Sequence, residues 1–534
     1  MKKYAFLFLI IVGLQNIQFA QSFEWGEPVK LKRAIKTIHP SSEANFFAVT
    51  HRGSDNLGGL GRFQLYGFTN KAFTGQLEKV IRYQEFVNAL PVGGHISLFK
   101  VHDANDSIVL VRQNFDMAML AIRSATTVFS YNRKVDYKVS LSDNRKFYAA
   151  LYVEPSTTDN HVRIIYKVFN EKDEVICDGS YNTTLELKSF QISKVIVSND
   201  GELIVIMKKF ESNNLDFAAR TGDVKTQHER LTSNAIAVIR LSNGSNNLLQ
   251  VEHEASKLGE IDAELLSDKN LMLHGLYSKD RVGQRGVFTF VLDLDKNSVV
   301  QNNWKDFDFD FLTKTMTEKQ RGTVLNNSKA DNNLVGLKGF NFKSSTNLPD
   351  GSMILVWEQA EYNQSNPGFS PHGIITGNSS LGPSTIGSVP MQETISGNVL
   401  VYKISANGDI LWQLCILKNQ MDSGFHITFG SIMTYFSNDM FYIIYNDYPP
   451  GYNPYGKLLG WHDHGDQIIT EFTISPFEVA IDPKTGVFNK QQWIFAPQFK
   501  GKAMPAYFVN DEVKKEIILV DKIRKKYRFG VMKY

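Results

Sequence analysis

Short apolar runs of strand length, separated by polar turn residues, dominate this sequence, and sustained helical periodicity is nearly absent. One element recurs: a polar turn, usually with an aspartate, is followed directly by an apolar run, as where Asp200 precedes residues 203–207. The markers of this element are Glu43, Asp106, Asp143, Asp200, Asp268, Asp350, Asp439 and Asp511. A second element usually follows, in which two strands flank a tight turn such as residues 407–409 or 482–486.

Together the two elements predict a repeating unit of four strands. Four-stranded units repeated around an axis are the blades of a β-propeller. A blade needs roughly 40–50 residues, so the longer marker spacings predict inserted loops, and the short spacing after Asp106 predicts an incomplete blade. We predict an all-β fold, a single β-propeller of about eight four-stranded blades, with seven blades as the alternative. Two stacked β-sandwiches would explain the strands but not the recurring order of turn and strand.

The two ends of the chain predict how the ring closes. The last unit ends on a strand near residues 527–532 and lacks an outer strand of its own. Residues 27–33, near the other end, have no inner strands to pair with. Pairing between these segments would complete the last blade and remove exposed strand edges. We therefore predict closure of the propeller by an N-terminal strand.

The first twenty residues are predicted to be a cleavable signal peptide. Met1, Lys2 and Lys3 precede an apolar run at residues 5–14, which is shorter than the roughly 20 residues that span a bilayer. Cleavage after Ala20 would leave residues 21–534 as one propeller domain. No later apolar run approaches membrane length, so we expect no transmembrane segment in the mature chain. The predicted location is the periplasm, the outer surface or the extracellular medium.

Net charge indicates which partners are expected, and cysteine content indicates whether disulfides are expected. The net charge of +3 falls to +1 when Lys2 and Lys3 leave with the signal peptide, which gives no electrostatic basis for binding nucleic acid. The two cysteines, Cys177 and Cys415, lie in apolar strand-like surroundings, so we expect buried thiols, with a single bridge as the alternative. The sequence has no Gly-x-Ser-x-Gly, phosphate-loop, His-Glu-x-x-His or Cys-x-x-Cys motif.

Four stretches of the chain carry a family resemblance. They are residues 336–359, with Leu-Pro-Asp-Gly-x-x-x-Leu-Val-Trp-Glu-Gln, residues 397–420, residues 442–447 and residues 283–294. In these stretches the chain resembles a family of secreted, functionally uncharacterised bacterial β-propeller-like proteins. The resemblance implies export and a propeller, and it supplies no catalytic residue.

Three long insertions are the predicted functional segments, because long loops in compact domains are usually functional or disordered. Residues 312–333 are compatible with a short helix on the rim, and residues 361–397 are rich in Gly, Ser, Asn and Pro. Residues 446–467 contain the aromatic side chains Tyr448, Tyr452, Tyr455 and Trp461. Exposed rings on a proline-rich loop are good contact surfaces for sugars or proteins, and the alternative is a loop that packs its own rings against a blade.

The same insertion contains a candidate metal site. His462 and His464 are two residues apart, so in a strand both rings would point to one face, and Asp466 is a further candidate ligand. Imidazole and carboxylate groups suit zinc or another divalent metal. The alternative is a polar loop tip that uses Asp and Gly for its turns.

Two further sets of carboxylates are candidate sites. Residues 306–311 alternate Asp and Phe, which in a strand would place three carboxylates on one face, as calcium prefers. The alternative is a solvent-facing strand edge with a buried aromatic side. Glu358 and Asp447 end strongly apolar runs, and a carboxylate pair suits acid–base glycoside chemistry. Turn and capping roles are the alternative for both.

The sequence thus predicts an exported propeller that acts as a binding or scaffold module for a protein partner or a cell-surface glycan. The alternative is a metal- or carboxylate-dependent hydrolase acting on polysaccharide. The sequence identifies no cofactor and does not set the oligomeric state.

Overall fold

The computed structural model describes most of the chain from residue 23 to residue 534. The ranges outside the description are 1–22, 32–33, 41–44, 53–60, 70–71, 77–80, 84, 105–106, 117–121, 132–134, 136, 156–160, 188, 210–234, 243–244, 253–256, 268, 279–283, 314–321, 323–336, 338, 365–391, 419, 424–430, 448–474, 494–495 and 513. The predicted signal peptide therefore lies outside the described residues.

The described residues form eight antiparallel sheets. Blade 1 contains β2 (Ala34–Pro40), β3 (Asn45–Arg52), β4 (Gly61–Thr69), β5 (Ala72–Gln76) and β6 (Ile81–Tyr83). Blade 2 contains β7 (Glu85–Val92), β8 (His95–Ala104), β9 (Ser107–Asp116) and β10 (Ile122–Tyr131). Blade 3 contains β11 (Tyr137–Leu141), β12 (Phe147–Pro155), β13 (His161–Asn170) and β14 (Val175–Glu186), and blade 4 contains β15 (Phe190–Val197), β16 (Leu203–Lys209), β17 (Ala235–Ser242) and β18 (Ser245–Glu252).

Blades 5 to 8 repeat this order. Blade 5 contains β19 (Lys257–Ser267), β20 (Asn270–Ser278), β21 (Gly286–Asp293) and β22 (Ser298–Asp306), and blade 6 contains β23 (Phe340–Asn347), β24 (Met353–Gln364), β25 (Gln392–Ile404), β26 (Ile410–Ile416) and β27 (Gln420–Ser423). Blade 7 contains β28 (Ile432–Ser437), β29 (Met440–Asp447), β30 (Ser475–Ile481) and β31 (Phe488–Gln492). Blade 8 contains β32 (Lys502–Ala503), β33 (Val509–Asp511), β34 (Glu516–Ile523), β35 (Lys526–Lys533) and β1 (Phe23–Trp25). The described helices are α1 (Phe309–Thr313) and two 3₁₀ turns, Ala496–Gln498 and Pro505–Tyr507.

The inner strands close into a ring. The first strand of each blade contacts the first strand of the next, in the order β2, β7, β11, β15, β19, β23, β28 and β33, and β33 contacts β2 again. The fold is therefore an eight-bladed β-propeller. This confirms the predicted fold class and excludes the seven-bladed alternative.

The cores lie between neighbouring blades, and this explains the apolar runs in the sequence. In β16 every residue from Leu203 to Lys208 is buried, because the second strand of a blade is covered on both faces. A strand that is covered on both faces needs apolar side chains at consecutive positions rather than at alternate ones. Cys177 in β14 and Cys415 in β26 are buried free thiols, which confirms the expectation for both.

One marker of the repeat was wrong. Seven of the eight markers lie at the turn between the first and second strands of a blade, but Asp106 lies between β8 and β9, the second and third strands of blade 2. The first turn of blade 2 is formed by Gly93 and Gly94, with Gly93 at φ +49°. A glycine pair satisfies the turn without an aspartate. Blade 2 has four strands, so the predicted incomplete blade does not exist.

An N-terminal strand closes the ring, as predicted, but it lies earlier than residues 27–33. Strand β1 pairs with β35, with Trp25 opposite Gly530, and among the described residues of the predicted segment, 27–31, Val29 forms a bridge to Tyr527. The Arg528 guanidinium lies 3.9 Å from the centroid of the Trp25 ring and donates a hydrogen bond of 2.6 Å to buried Asp521. A Cβ atom at Gly530 would lie 2.7 Å from the indole, so glycine is required for this packing.

The ring has two different faces. Neighbouring inner strands run in the same direction, because Lys343 and Ser344 of β23 contact Ser431 and Thr434 respectively, in the same order along the chain. Turns between first and second and between third and fourth strands therefore lie on one side, which we call the hairpin face. Loops between second and third strands and between blades lie on the other, the loop face.

The strands that flank all three predicted insertions end on the loop face. Residues 365–391 and 448–474 connect the second and third strands of blades 6 and 7, and residues 314–336 connect blade 5 to blade 6. Helix α1 begins at Phe309, just ahead of the predicted insertion at residues 312–333. No helix within the described ranges is both long and apolar enough to cross a membrane.

Residues 306–311 do not form the predicted alternating strand. Asp306 is the last residue of β22, and its carboxylate accepts a hydrogen bond from Tyr277. Asp308 Oδ1 accepts a hydrogen bond of 2.6 Å from Phe311 N and so caps α1. Phe307 and Phe311 are both buried. Capping and aromatic burial therefore replace the row of three carboxylates on which the calcium hypothesis depended.

Candidate functional site

Buried charged side chains recur at the loop-face ends of the second strands. In five blades the apolar run of the second strand ends within two residues of such a side chain: Glu154, Lys208, Glu358, Asp447 and Asp521. Burying a charge is costly unless it is paired and hydrogen-bonded. Each position therefore needs partners, and the partners show what kind of site each blade forms.

Glu358 is the centre of the largest of these arrangements. Its side chain is 1% exposed, and the Lys418 ammonium, which is fully buried, donates to Oε1. Lys343 Nζ lies 2.9 Å from Oε2, and Ser431 Oγ donates a hydrogen bond of 3.1 Å to the same oxygen. Lys343 and Lys418 belong to blade 6, whereas Ser431 directly precedes β28 of blade 7. The carboxylate therefore joins two blades at the loop face.

Asp447 belongs to the same arrangement. Lys490 Nζ donates a hydrogen bond of 2.5 Å to Asp447 Oδ2, and the Lys490 ammonium lies 5.4 Å from the centroid of the Tyr445 ring. The Lys418 ammonium lies 5.5 Å from the same ring. Burial lowers the pKa of Lys418, and the carboxylates of Glu358 and Asp447 partly oppose that shift. The two carboxylates singled out in the sequence are thus brought together through Lys418.

We call these residues the 6–7 cluster. Its members are Lys343, Glu358, Lys418, Ser431, Asp447 and Lys490. With each group in its ordinary ionised form, three ammonium groups face two carboxylates. The carboxylate of Glu260 in β19 also acts on Lys343, so a third negative group lies beside the cluster.

Ser431 has an unusual backbone. Its φ of +80° is in the left-handed region, which costs a non-glycine residue about 1–2 kcal/mol. Among the described residues, the other non-glycine positions with positive φ all lie in hairpin turns: Arg145, Asp173, Asn297, Asn438, Asp439, Lys515 and Arg524. Ser431 is the exception among these residues, because it lies outside any hairpin, directly before the inner strand β28. Backbone strain of this kind concentrates at functional sites.

A second charged group lines the inner surface of blades 4 to 6. Glu260, Asp262 and Glu264 are alternate residues of the inner strand β19. The Lys194 ammonium contacts Asp262 and lies 3.5 Å from Glu264 Oε1, and Ser345 Oγ donates 2.6 Å to that same oxygen. Burial raises the pKa of Glu264, and the charge of Lys194 partly opposes it. The alternation Glu-x-Asp-x-Glu at residues 260–264 is the sequence pattern that could have predicted this surface, which is not among the sites predicted above.

Two buried basic groups lie beside this surface. Lys208 donates to the backbone oxygen of Gly259, and burial lowers its pKa to about 7, against the opposing charge of Glu260. The His274 ring is fully buried beside Trp357, at a centroid distance of 5.7 Å. Neither of its nitrogens has a hydrogen-bond partner in the described part of the chain. Burial, and then the charge of Lys194, lower the pKa of His274 to about 3, so the ring is neutral at ordinary pH.

The other predicted site residues are not placed. Tyr448, Tyr452, Tyr455, Trp461, His462, His464 and Asp466 all lie outside the described residues, so the aromatic binding loop and the metal site stay predictions. The segment that carries them follows directly on Asp447, at the edge of the 6–7 cluster. Within the described ranges, no group of three or more His, Cys, Asp or Glu side chains is arranged to hold a metal ion.

Comparisons with known proteins assign neither a family nor an activity to this chain. No protein-family model matches the chain, and no curated protein matches it. Similar solved structures include a prolyl endopeptidase with 11% identity and a TM-score of 0.31, over 79% of this chain and 54% of the other. The chain therefore spans about half the length of that endopeptidase.

Two other solved structures are matched over most of their length. The cobalt-substituted apocarotenoid oxygenase of Synechocystis has 10% identity and a TM-score of 0.37, over 88% of this chain and 92% of the other. The β-propeller domain of the Trilobed protease from Pyrococcus furiosus has 10% identity and a TM-score of 0.32, over 80% and 90%. At this level of similarity we transfer no activity, and the propeller assignment follows from the strand order and the closed ring of this chain.

Proposed function

We propose that this protein is an exported binding or scaffold module that holds a protein partner or a cell-surface glycan on its loop face. The observation that carries the proposal is convergence: the strands flanking all three long insertions end on one face of a closed ring. The hairpin face, in contrast, is built from short turns. A rigid ring that presents several long loops on one side is suited to recognition, because the scaffold keeps the loops in fixed relative positions.

Charge on the loop face supports a polar ligand. Lys343 and Lys490 of the 6–7 cluster keep more than a quarter of their side chains exposed, and the carboxylates of β19 lie on the neighbouring blade 5, where Glu260 accepts a hydrogen bond from Phe342 N. Donors and acceptors of both signs suit the hydroxyl groups of a glycan or the mixed surface of a protein. The aromatic residues predicted at 448–461 would add stacking surface beside them.

Export is the second part of the proposal. Strand β1 begins at Phe23, so cleavage after Ala20 would remove the predicted signal peptide and spare the strand that closes the ring. The mature chain would then fold with its closing strand at its own N-terminus. Mass spectrometry of the protein from its native host tests this part, and a mature chain that still carries residues 1–20 would contradict it.

Binding is tested with the mature chain on a glycan array and in a pull-down from the native host. A variant in which a short Gly-Ser linker replaces residues 448–467 should lose the ligand, because it removes the predicted aromatic contacts and leaves Asp447 in place. The matched control changes the hairpin face at Asp293 and Lys296, which form an exposed ion pair, and should bind normally. Failure to find any ligand, or binding that survives the loop replacement, would overturn the proposal.

A polysaccharide hydrolase is the second candidate, and one observation favours it: Glu358 and Asp447 belong to a single cluster. It predicts turnover on a polysaccharide panel that is lost in Glu358→Gln, or bound metal that is lost in His464→Ala. If elemental analysis of the purified mature protein finds no metal and no polysaccharide of the panel is hydrolysed, this candidate is excluded.

A further inference from the structure

Ser431 has the two neighbours that an activated serine nucleophile needs. Its hydroxyl donates a hydrogen bond of 3.1 Å to Glu358 Oε2, and it accepts one of 3.1 Å from Lys343 Nζ. A carboxylate at this distance can take the hydroxyl proton, and an ammonium can stabilise the oxygen as it becomes negative. Lys418 holds the other oxygen of Glu358 and so orients the base, as the third member of such sites does.

The backbone of Ser431 is an independent observation. Ser431 has a positive φ but lies outside any hairpin turn. Every other described non-glycine residue with positive φ lies in a hairpin turn. The contacts to Glu358 and Lys343 hold the hydroxyl at the junction of blades 6 and 7 in spite of that strain. Reactive serines are often presented from strained turns, because the strain directs the oxygen away from its own backbone.

The charge of the 6–7 cluster agrees with this role. Lys343 Nζ lies 3.1 Å from Ser431 Oγ, so an oxyanion formed at Ser431 would lie beside an ammonium group. A preorganised positive environment in a buried site stabilises developing negative charge strongly, because the surrounding dipoles and charges need not reorganise. The Lys343 side chain is 27% exposed and that of Glu358 is 1% exposed, so solvent reaches the cluster from the side where Lys343 lies.

We propose that Ser431 is a nucleophile for acyl transfer, with Glu358 as general base, Lys343 as the stabilising cation and a carboxylic ester as the substrate class. This inference goes beyond ligand binding, and it also differs from glycoside cleavage, because the bond broken is acyl–oxygen. An acylated glycan or another ester presented on the loop face would satisfy the chemistry.

The reaction balances with water as the only co-reactant. Ser431 Oγ bonds to the ester carbonyl carbon, its proton passes to Glu358, and the carbonyl π electrons move to oxygen, which lies near Lys343. The tetrahedral intermediate then expels the alcohol, which takes the proton from Glu358, and an acyl-serine remains. Water attacks this acyl group, gives a proton to Glu358, and releases the carboxylic acid as Ser431 regains its proton.

The experiment is covalent labelling of the folded mature chain with a fluorophosphonate, followed by intact mass and peptide mapping. We expect one adduct per chain, on Ser431, and none in Ser431→Ala. In Glu358→Gln the rate constant for labelling should fall about 100-fold, as general-base contributions predict. The matched control is Ser344→Ala, which removes a serine whose hydroxyl lies 2.8 Å from the Thr434 hydroxyl, and this variant should be labelled like the unchanged protein.

Hydrolysis of p-nitrophenyl acetate provides a second readout, and it should be lost together with the labelling. Because Glu358→Gln also changes a buried ion pair, Ser431→Cys serves as an independent variant that keeps the cluster's charge, and its thiol should be alkylated by iodoacetamide. An unlabelled protein, or an adduct that persists in Ser431→Ala, would overturn the inference. Ligand capture by Ser431→Ala in the pull-down would still support the binding proposal, so the two can fail separately.

Discussion

Two buried polar networks join neighbouring blades on opposite faces of this ring, and they differ in how the central carboxylate is satisfied. On the hairpin face, Asp173 reaches from the turn between β13 and β14 into blade 2. Tyr148 donates 2.5 Å to Oδ1 and Asn114 donates 2.6 Å to Oδ2. His95 Nε2 lies 3.2 Å from Oδ1, and Arg112 Nη1 lies 3.7 Å away.

The charges of this network balance. One guanidinium faces one carboxylate, and neutral donors complete the coordination of Asp173. Burial alone would raise the pKa of Asp173, but the hydrogen bonds from His95 and Tyr148, with the charge of Arg112, hold it below the usual value. The positive φ of Asp173, +69°, lies in a hairpin turn and is explained by that turn.

The 6–7 cluster differs in each respect. Glu358 is bound by two ammonium groups, and the strained residue Ser431 is not part of a hairpin turn. A network that only joins blades is satisfied by balanced charges and neutral donors. The features that blade joining does not require are therefore the ones that indicate function on the loop face.

The largest expected effect is on stability, from Glu358→Leu. This change leaves the fully buried Lys418 without its carboxylate, and an unpaired buried charge costs about 3–5 kcal/mol of unfolding free energy. The double variant Glu358→Leu, Lys418→Met should recover most of that loss, because the charge is removed with its partner. Urea denaturation of the three proteins measures both differences. Equal stability of the single and double variants would contradict the pairing.

A smaller effect is expected from Asp173→Ala. Its carboxylate is 23% exposed and its donors are mostly neutral, so the donors left behind cost about 1–3 kcal/mol. The same urea series measures this variant. A loss as large as that of Glu358→Leu would remove the distinction between the two networks.

The acid side of the stability curve should separate Asp173 further. Because the folded pKa of Asp173 lies below its unfolded value of 3.8, its charge contributes stability that is fully present above about pH 4. That contribution is lost as pH falls through the lowered folded pKa. Asp173→Asn should therefore be less stable than the unchanged protein at pH 6, with the difference shrinking toward pH 2. A difference that grows on acidification would contradict the direction of the shift.

The smallest effect is expected from Ser431→Gly. Glycine relieves about 1 kcal/mol of left-handed strain, whereas loss of the hydroxyl removes hydrogen bonds worth a similar amount. We therefore expect a change in unfolding free energy below about 1 kcal/mol. A large destabilisation would mean that the hydroxyl serves to join the blades, and the contrast with Asp173 would then weaken.

The sequence predicted most of the fold because the fold is repetitive. Apolar runs such as residues 203–207 mark strands that are covered on both faces, and the turns that precede them mark the blades. The prediction from sequence was wrong where a different local feature formed a turn, or replaced a strand with a helix. Gly93 and Gly94 replace an aspartate turn in blade 2, and Asp308 caps a helix where alternation suggested a strand.

The candidate site was predicted only in part. Glu358 and Asp447 were recognised because each ends an apolar run, and the same signal applies to Lys208. Lys343, Lys418 and Ser431 carried no such signal, since they lie at separate positions of two blades and meet only across the blade interface.

By itself, the sequence determined the all-β class, a propeller of about eight blades with seven as the alternative, and closure by an N-terminal strand. These depend on local periodicity and turn dihedrals, which neighbouring residues set. Only the tertiary structure decided that Trp25 lies against Gly530, and that one carboxylate, two ammonium groups and a strained serine converge on the loop face. Those contacts depend on how far each blade is rotated from the next, which no short stretch of sequence encodes.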